Sequence, residues 1–316
     1  LSAIKELGYS GSLLAKGMRL QRYPAVGLCV PDATFSGFSS LLNALEEKAS
    51  SANYEVMQVL SHGAPEREFA RVQRLVGFKV SGIIMVPSPD PREVLDFLSA
   101  TNVPTVLVRR TVEQDPRFDQ VSMDNRASMD RVCRELFALG HRRFLFVCQY
   151  AHLMITKHRI EALDRLVVET DRQVSYQAIE CGLTEAEFVA RLSAELSGRE
   201  PPTVMLVANN HVAAWSFQAF HKLGVRCPEQ VSLFCLNEPE WAEVVTPRLS
   251  SVRQPTQEIT QSAWDLLRMR MDGSTQPQQH TLCEGELIFR ESVAPLRSAG
   301  TTARSLAAMA DDPCGG

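Results

Sequence analysis

No run of eighteen or more apolar residues occurs in this chain, which excludes a helical membrane span. No basic stretch followed by an apolar one stands near its start, so nothing there reads as a secretory leader. A chain that opens inside a helical pattern leaves the question of an earlier leader open. The eight cysteines (Cys29, Cys133, Cys148, Cys181, Cys227, Cys235, Cys283 and Cys314) form no CxxC pair. Their scatter supports neither a zinc site nor a small disulfide framework, and a reducing, cytoplasmic compartment is the better reading. Cys29 and Cys148 lie inside apolar strand patterns and read as small buried hydrophobes. Also missing are a G-x-S-x-G elbow, a P-loop, an H-E-x-x-H helix and a glycine-rich dinucleotide fingerprint. Scattered histidines such as His62, His141 and His211 make no base–nucleophile arrangement, so catalysis, metal binding and a bound cofactor are not expected.

Hydrophobic residues make up 45% of the 316 positions, ample for a large core or for two lobes. The net charge of −4 and a pI near 6.0 argue against a surface that coats nucleic acid in general. Basic residues are locally dense at Lys16, Arg19 and Arg22, and a DNA contact is expected there.

From Ala25 the pattern alternates strand and helix. Ala25 to Val30 is a continuous apolar run closed by Pro31-Asp32, as for a strand buried on both faces. Phe38 to Asn53 has helical spacing (Leu41, Leu42, Leu45, Ala49), Tyr54 to Leu60 reads as a strand, and Glu66 to Lys79 as a helix. Gly82 to Val86, Thr105 to Val108 and Gln120 to Met123 are further short strands. Asn125 to Leu139 makes a helix stopped by Gly140, and Arg143 to Val147 a strand. A second set includes strand Thr203 to Val207, helix His211 to Leu223 and strand Val231 to Leu236. Such alternation predicts right-handed βαβ units and an α/β fold of two doubly wound parallel-sheet lobes. Ligand is then expected in a crevice at the strand carboxyl ends. The stretch 298–316 is small, polar and aperiodic, and reads as a disordered tail.

Ahead of the first strand, Leu1, Ile4 and Leu7 make one apolar stripe that Gly8 stops, and Ser12 to Leu20 is a second short helical pattern. With Leu7-Gly-Tyr9, this arrangement resembles the lactose-repressor (LacI/GalR) family of transcription regulators. Further along, Gly27 to Asp32, Val80 to Val86, Met123 to Ala127, Leu139 to Arg143, Pro228 to Ser232, Thr246 to Val252 and Leu287 to Ser292 resemble family signatures in order and spacing. The resemblance covers nearly everything from Leu1 to Leu296. It implies a periplasmic-binding-protein-like (type I) pair of lobes, a homodimer, an operator DNA partner and a small-molecule effector. By that reading residues 1–23 are the end of a DNA-binding headpiece, most of it missing, plus a hinge helix. Residues 24–148 and 254–283 form the amino-terminal lobe, and 149–253 with 284–297 the carboxyl-terminal one. Leu14, Ala15, Lys16 and Met18 fall on the hinge-helix positions that meet DNA, with Met18 where relatives wedge a leucine into the minor groove. Met18 and Gly17 are departures, the glycine costing about 1 kcal/mol of helix propensity against alanine. The helices from Phe38 to Ser50 and Glu66 to Phe78 are the candidate dimer interface.

The same resemblance places Arg109, Arg159, Asn209, Asn237 and Gln254 at effector-contacting positions. Asn237 and Arg109 stand where relatives carry aspartate, and Asn210 replaces an aspartate beside Asn209. Carboxylates are thus lost and a guanidinium gained, which favours a negatively charged effector such as a sugar acid, sugar phosphate or organic acid. The competing reading pairs Arg109 with Asp124 or Glu238 and leaves the pocket neutral; for Arg159 it is a surface arginine on an amphipathic helix. Leu153 and Ile155 occupy positions where relatives supply hydroxyls, which makes a more apolar wall or a pocket that has decayed. A solute-binding protein for a sugar, of the periplasmic type, is the alternative function, since the core fold would be the same.

Overall fold

The computed structural model describes residues 23–32, 37–112, 115–182 and 184–296. The hinge residues Leu14, Ala15, Lys16 and Met18, the headpiece and the tail at 298–316 lie outside the described residues.

Twelve strands and eight helices occur among the described residues, in two compact units through which the chain passes more than once. The first unit takes the residues up to Ser128, then His152–His158 and Arg253–Glu286; the second takes Met129–Ala151, Arg159–Val252 and the chain from Leu287.

In the first unit, β1 (Tyr23–Val30), β2 (Glu55–Leu60), β3 (Val80–Met85), β4 (Thr105–Val108), β5 (Asp119–Met123) and β11 (His280–Cys283) form one sheet in the order β11-β5-β4-β3-β1-β2. Every pairing in it is parallel. The helices α1 (Phe38–Ser51), α2 (Pro65–Gly77), α3 (Arg92–Thr101) and α8 (Thr256–Met271) cover it. Strands β3, β4 and β5 are buried along their whole length, the polar Ser81, Asp119, Gln120 and Ser122 included, as strands with helices on both faces should be. Alternation along β1 and β3 assigns the faces. Ala25, Cys29, Ile83 and Met85 pack with Val72, Leu75, Leu95 and Leu98 of α2 and α3. Gly82 faces α8 instead. A β-carbon there would lie 2.7 Å from Leu267 Cδ1 and 3.1 Å from Met271 Sδ, and Leu267 has no exposed surface into which to swing. Gly82→Ala is therefore expected to lower the unfolding free energy by about 1–3 kcal/mol in urea denaturation. A variant as stable as the parent would mean that α8 yields.

The second unit repeats the plan. Strands β6 (Arg143–Cys148), β7 (Ser175–Glu180), β8 (Val204–Val207), β9 (Ser232–Cys235), β10 (Ser250–Arg253) and β12 (Glu286–Ile288) lie in the order β12-β10-β9-β8-β6-β7, parallel from β7 through β10. Helices α6 (Glu185–Leu196) and α7 (Asn210–Leu223) pack Phe188, Leu192, Val212, Ala213 and Phe220 on Leu145, Val147, Met205, Val207 and Leu233. Each helix opens on a side-chain cap, Thr184 accepting from Glu187 N–H and Asn209 from Val212 N–H.

One expected boundary is corrected. Residues 143–148 were assigned to the first lobe by sequence, but β6 pairs with β7 and β8 in the second sheet. The chain leaves the first unit inside helix α4 (Asn125–Ala138), at Ser128. An apolar run states that a strand is buried on both faces, not which sheet it joins. The units divide again between Val252 and Arg253 and between Glu286 and Leu287.

Candidate functional site

Each sheet reverses its strand order once, between β1 and β3 in the first and between β6 and β8 in the second. The carboxyl ends flanking such a switch leave a crevice, because the adjacent connections depart over opposite faces. Of the sequence-chosen residues, Asn209 follows β8 at such a switch, Arg109, Asn237 and Gln254 follow β4, β9 and β10, and Arg159 lies on a helix.

In the second unit the organising group is Arg159, on helix α5 (Met154–Glu169). It is 4% exposed, so it is not a surface arginine. Its Nη1 donates to the carbonyl of Ala208 at 3.0 Å and its Nη2 to that of Leu236 at 3.3 Å. Those carbonyls lie just beyond β8 and β9, and the guanidinium ties the two strand ends together. Burial pulls it down to about 10, a measure of what holding the charge there costs. Asn209 follows immediately; its Oδ1 accepts from Val212 N–H at 3.0 Å, and its Nδ2 donates to Gln149 Oε1, beyond β6, at 3.4 Å. Asn237 is buried two residues past β9, and its carbonyl accepts from Cys235 Sγ at 2.8 Å. Arg159, Asn209 and Asn237 are thus brought to adjacent strand ends of one sheet.

In the first unit Arg109 follows β4 in a left-handed conformation, φ 66°. Gly37, itself at φ 75°, makes room for it: a β-carbon on Gly37 would stand 2.9 Å from Arg109 Nη1. Burial brings the Arg109 guanidinium down to about 10. Asp124 accepts from Ala127 N–H at the start of α4; in the second unit Glu238 accepts from Arg290 Nη2 at 2.5 Å. Gln254, half-buried past β10, gives its carbonyl to Thr256 N–H at the head of α8.

Sequence reasoning passed over a second group in the first unit. Glu68, on α2, has no exposed surface. Its Oε2 accepts from Ser88 N–H at 2.5 Å and its Oε1 from Ser88 Oγ at 3.0 Å, which fastens the loop leaving β3. Burial raises this carboxyl to about 7, against the Ser88 hydrogen bonds and the positive field of Arg110 that lower it. Cys29 of β1 faces it, its thiol pushed up to about 12 by burial and by Glu68. Arg110 donates from Nη1 to the carbonyl of Pro87. Ser88 and Arg110 line a cleft of about 280 Å³ with Thr111, His152 and an apolar wall that includes Leu153 and Ile155. The signal for Glu68 was present: it shares the spacing i, i+4, i+7 with Val72 and Leu75, a glutamate on the buried stripe of its helix. Among the described residues no cluster of His, Cys, Asp and Glu has the arrangement of a metal site.

Residues 133–293, just over half of the chain, match the family model described as a periplasmic binding protein-like domain. The chain is 22% identical over 297 residues to the HTH-type transcriptional regulator KdgR of Bacillus subtilis, covering 92% of this chain and 86% of that protein. A solved LacI family transcriptional regulator from Mycobacterium smegmatis superposes with a TM-score of 0.75 at 24% identity, over 86% of this chain and 99% of the other. A periplasmic binding protein/LacI transcriptional regulator from Alkaliphilus metalliredigens, solved with D-xylulofuranose, does so with a TM-score of 0.74 at 20% identity, over 85% and 99%.

Proposed function

Because this chain belongs to the periplasmic binding protein-like domain family, among its LacI-type transcriptional regulators, we propose that its effector is a small anion met by buried guanidinium groups at the strand ends. Arg159 carries the reading. A guanidinium at 4% exposure, oriented by two backbone carbonyls, is a costly cation, and an anionic ligand offsets that cost through charge-assisted hydrogen bonds. Asn209 and Asn237 supply amides rather than carboxylates beside it, so nothing they add repels an anion. Arg109 and Gln254, after β4 and β10, are further polar groups for an effector to test.

The rest of the reading follows from the family. The working form is a homodimer in the cytoplasm, with α1 and α2 as its interface. Operator DNA is met by Leu14, Ala15, Lys16 and Met18, and effector binding changes operator affinity through differential binding to two arrangements of the dimer. Regulation rather than catalysis is its activity, in keeping with relatives that are transcriptional regulators. No helix among the described residues is long and apolar enough to cross a membrane.

A thermal-shift screen of the chain against neutral sugars, sugar acids, sugar phosphates and organic acids tests this. A ligand present at a hundred times its Kd adds about 2.7 kcal/mol of stability. The expected hit is an anion whose shift disappears in Arg159→Lys, which keeps the charge but cannot bridge two carbonyls. A neutral sugar bound with equal or greater effect, as the D-xylulofuranose relative suggests for itself, discards the anion.

A further inference from the structure

Resting on the homodimer reading above, we propose that two oppositely charged helix faces, one on α1 and one on α2, meet between copies of this chain. Their charges fix how the two copies are arranged and which chains can pair.

The outward face of α2 is a straight seam. Arg67, Arg71, Arg74 and the C-cap residue Phe78 follow one another at steps of four, three and four residues, which sets them in line along the helix. All four are exposed, Phe78 at 62%. The three guanidinium groups make no ion pair among the described residues, although the chain as a whole carries a net charge of −4. On α1 a second seam has the same steps. Ser39, Asn43, Glu46 and Ser50 are exposed there, with Glu47 beside them, and neither glutamate is in an ion pair among the described residues. The two faces complement each other in charge and in shape. Arginines and a phenylalanine project from one, and serine and asparagine leave room on the other.

Their place on the sheet decides how such faces can meet. β2 is an edge strand, and α1 and α2 are the connections that enter and leave it. α1 packs with α8 on one face of the sheet, and α2 with α3 on the other. A two-fold axis normal to the sheet at this edge would set each helix against its own copy, glutamate on glutamate and arginine on arginine. A two-fold axis along β2 instead carries α1 of each copy to α2 of the other, so the favourable contact is made twice. Both helices run against the strand direction, so in that arrangement they lie side by side and point the same way. Glu46 and Glu47 then come level with Arg74 across the axis, and the small Ser50 with Phe78. Like charge opposes the first arrangement and opposite charge favours the second. Covering Phe78 supplies apolar contact, while the exposed ionic pairs act chiefly as selection: a chain of the same fold with a basic α1 is refused.

Sedimentation of the full chain with fluorescence detection, which reaches low protein concentration, tests the proposal on two charge-reversed variants. Glu46→Lys with Glu47→Lys makes both seams basic; Arg71→Glu with Arg74→Glu makes both acidic. Each variant alone is expected to dimerise about tenfold or more less tightly than the parent, because the two-fold repeats every repulsion. Mixed in equal amounts, the two are expected to form a heterodimer about as tight as the parent dimer, since each then offers an acidic seam to a basic one. Substitutions that merely damaged the fold would not be repaired by mixing. Raising salt from about 50 mM to about 500 mM should weaken the parent dimer as the pairs are screened. If the lysine variant dimerises as well as the parent, or the mixture pairs no better than either variant alone, the charge pairing is overturned and the homodimer reading survives. A parent chain that stays monomeric at every concentration overturns both.

Discussion

Asp119→Ala is expected to lower the unfolding free energy by about 3–5 kcal/mol. Asp119 opens β5 and is 1% exposed at its side chain, and Arg270 near the end of α8 meets it with Nε at 2.7 Å and Nη2 at 2.9 Å. The same carboxylate accepts from Gln279 N–H at 2.8 Å. Arg270 in turn donates to the carbonyls of Ser274, Gln276 and Pro277, so one guanidinium closes the turn from α8 to β11. Removing the carboxylate strands a cation that is 11% exposed and orphans a backbone N–H where the edge strand begins. Arg270→Met should cost less, because the stranded Asp119 can protonate, and replacing both partners with apolar residues should cost less than the two single losses added. Hydrogen exchange supplies a second readout. In Asp119→Ala the amides of Thr281 and Leu282, paired to β5, are expected to lose protection before those of β3. A cost under about 1 kcal/mol with β11 still protected would mean the pair is solvated in solution.

The strength of that pair was not legible in the sequence, and the reason is general to this chain. Asp119 and Arg270 are 151 positions apart, and nothing in either neighbourhood marks them as partners. What could be read was local. Continuous apolar runs such as Thr105–Val108 announced strands covered on both faces, and Leu41, Leu45 and Ala49 announced the buried stripe of α1. The edge strands β7 and β12 carry no such run, since Ser175–Glu180 alternates half-exposed and exposed side chains, and they went unnamed. The sheet to which β6 belongs is likewise a matter of pairing, not of composition. At the candidate site the family resemblance brought Arg159, Asn209 and Asn237 forward; Asn209 and Asn237 lie just past β8 and β9, and Arg159 reaches the carbonyls of Ala208 and Leu236 from α5. It drew attention to Arg109 and away from Arg110, although the two are adjacent. Glu68 was overlooked because a charged residue in the first turn of a helix usually favours the helix dipole from the surface. Its coincidence with the stripe of Val72 and Leu75 was the better guide.

That buried glutamate leads to the second large effect, on stability rather than on binding. In the unfolded chain Glu68 titrates near its ordinary 4.5, whereas burial holds it at about 7 in the folded protein. Between those values the native state carries a proton that the unfolded state has released. Stability must then fall as pH rises, because the native state is the one that binds more protons. The contribution is complete below the unfolded value and is gone once pH has passed the folded one. Between pH 5 and pH 8 it amounts to about 2–3 kcal/mol. His141 works against it at the acid end. Its ring, between Thr203 Oγ1 and the Ala294 carbonyl, is pulled down by burial and favours unfolding as pH drops. The raw stability profile mixes the two, so the quantity to compare is the difference between parent and Glu68→Gln across urea unfolding curves taken from pH 5 to pH 8. Glutamine has the same shape, accepts from Ser88 and cannot ionise, and its own pH slope should be that of every other group. The parent is expected to be the steeper of the two in the alkaline direction. Parallel profiles would place the Glu68 carboxyl in its ordinary range despite its burial.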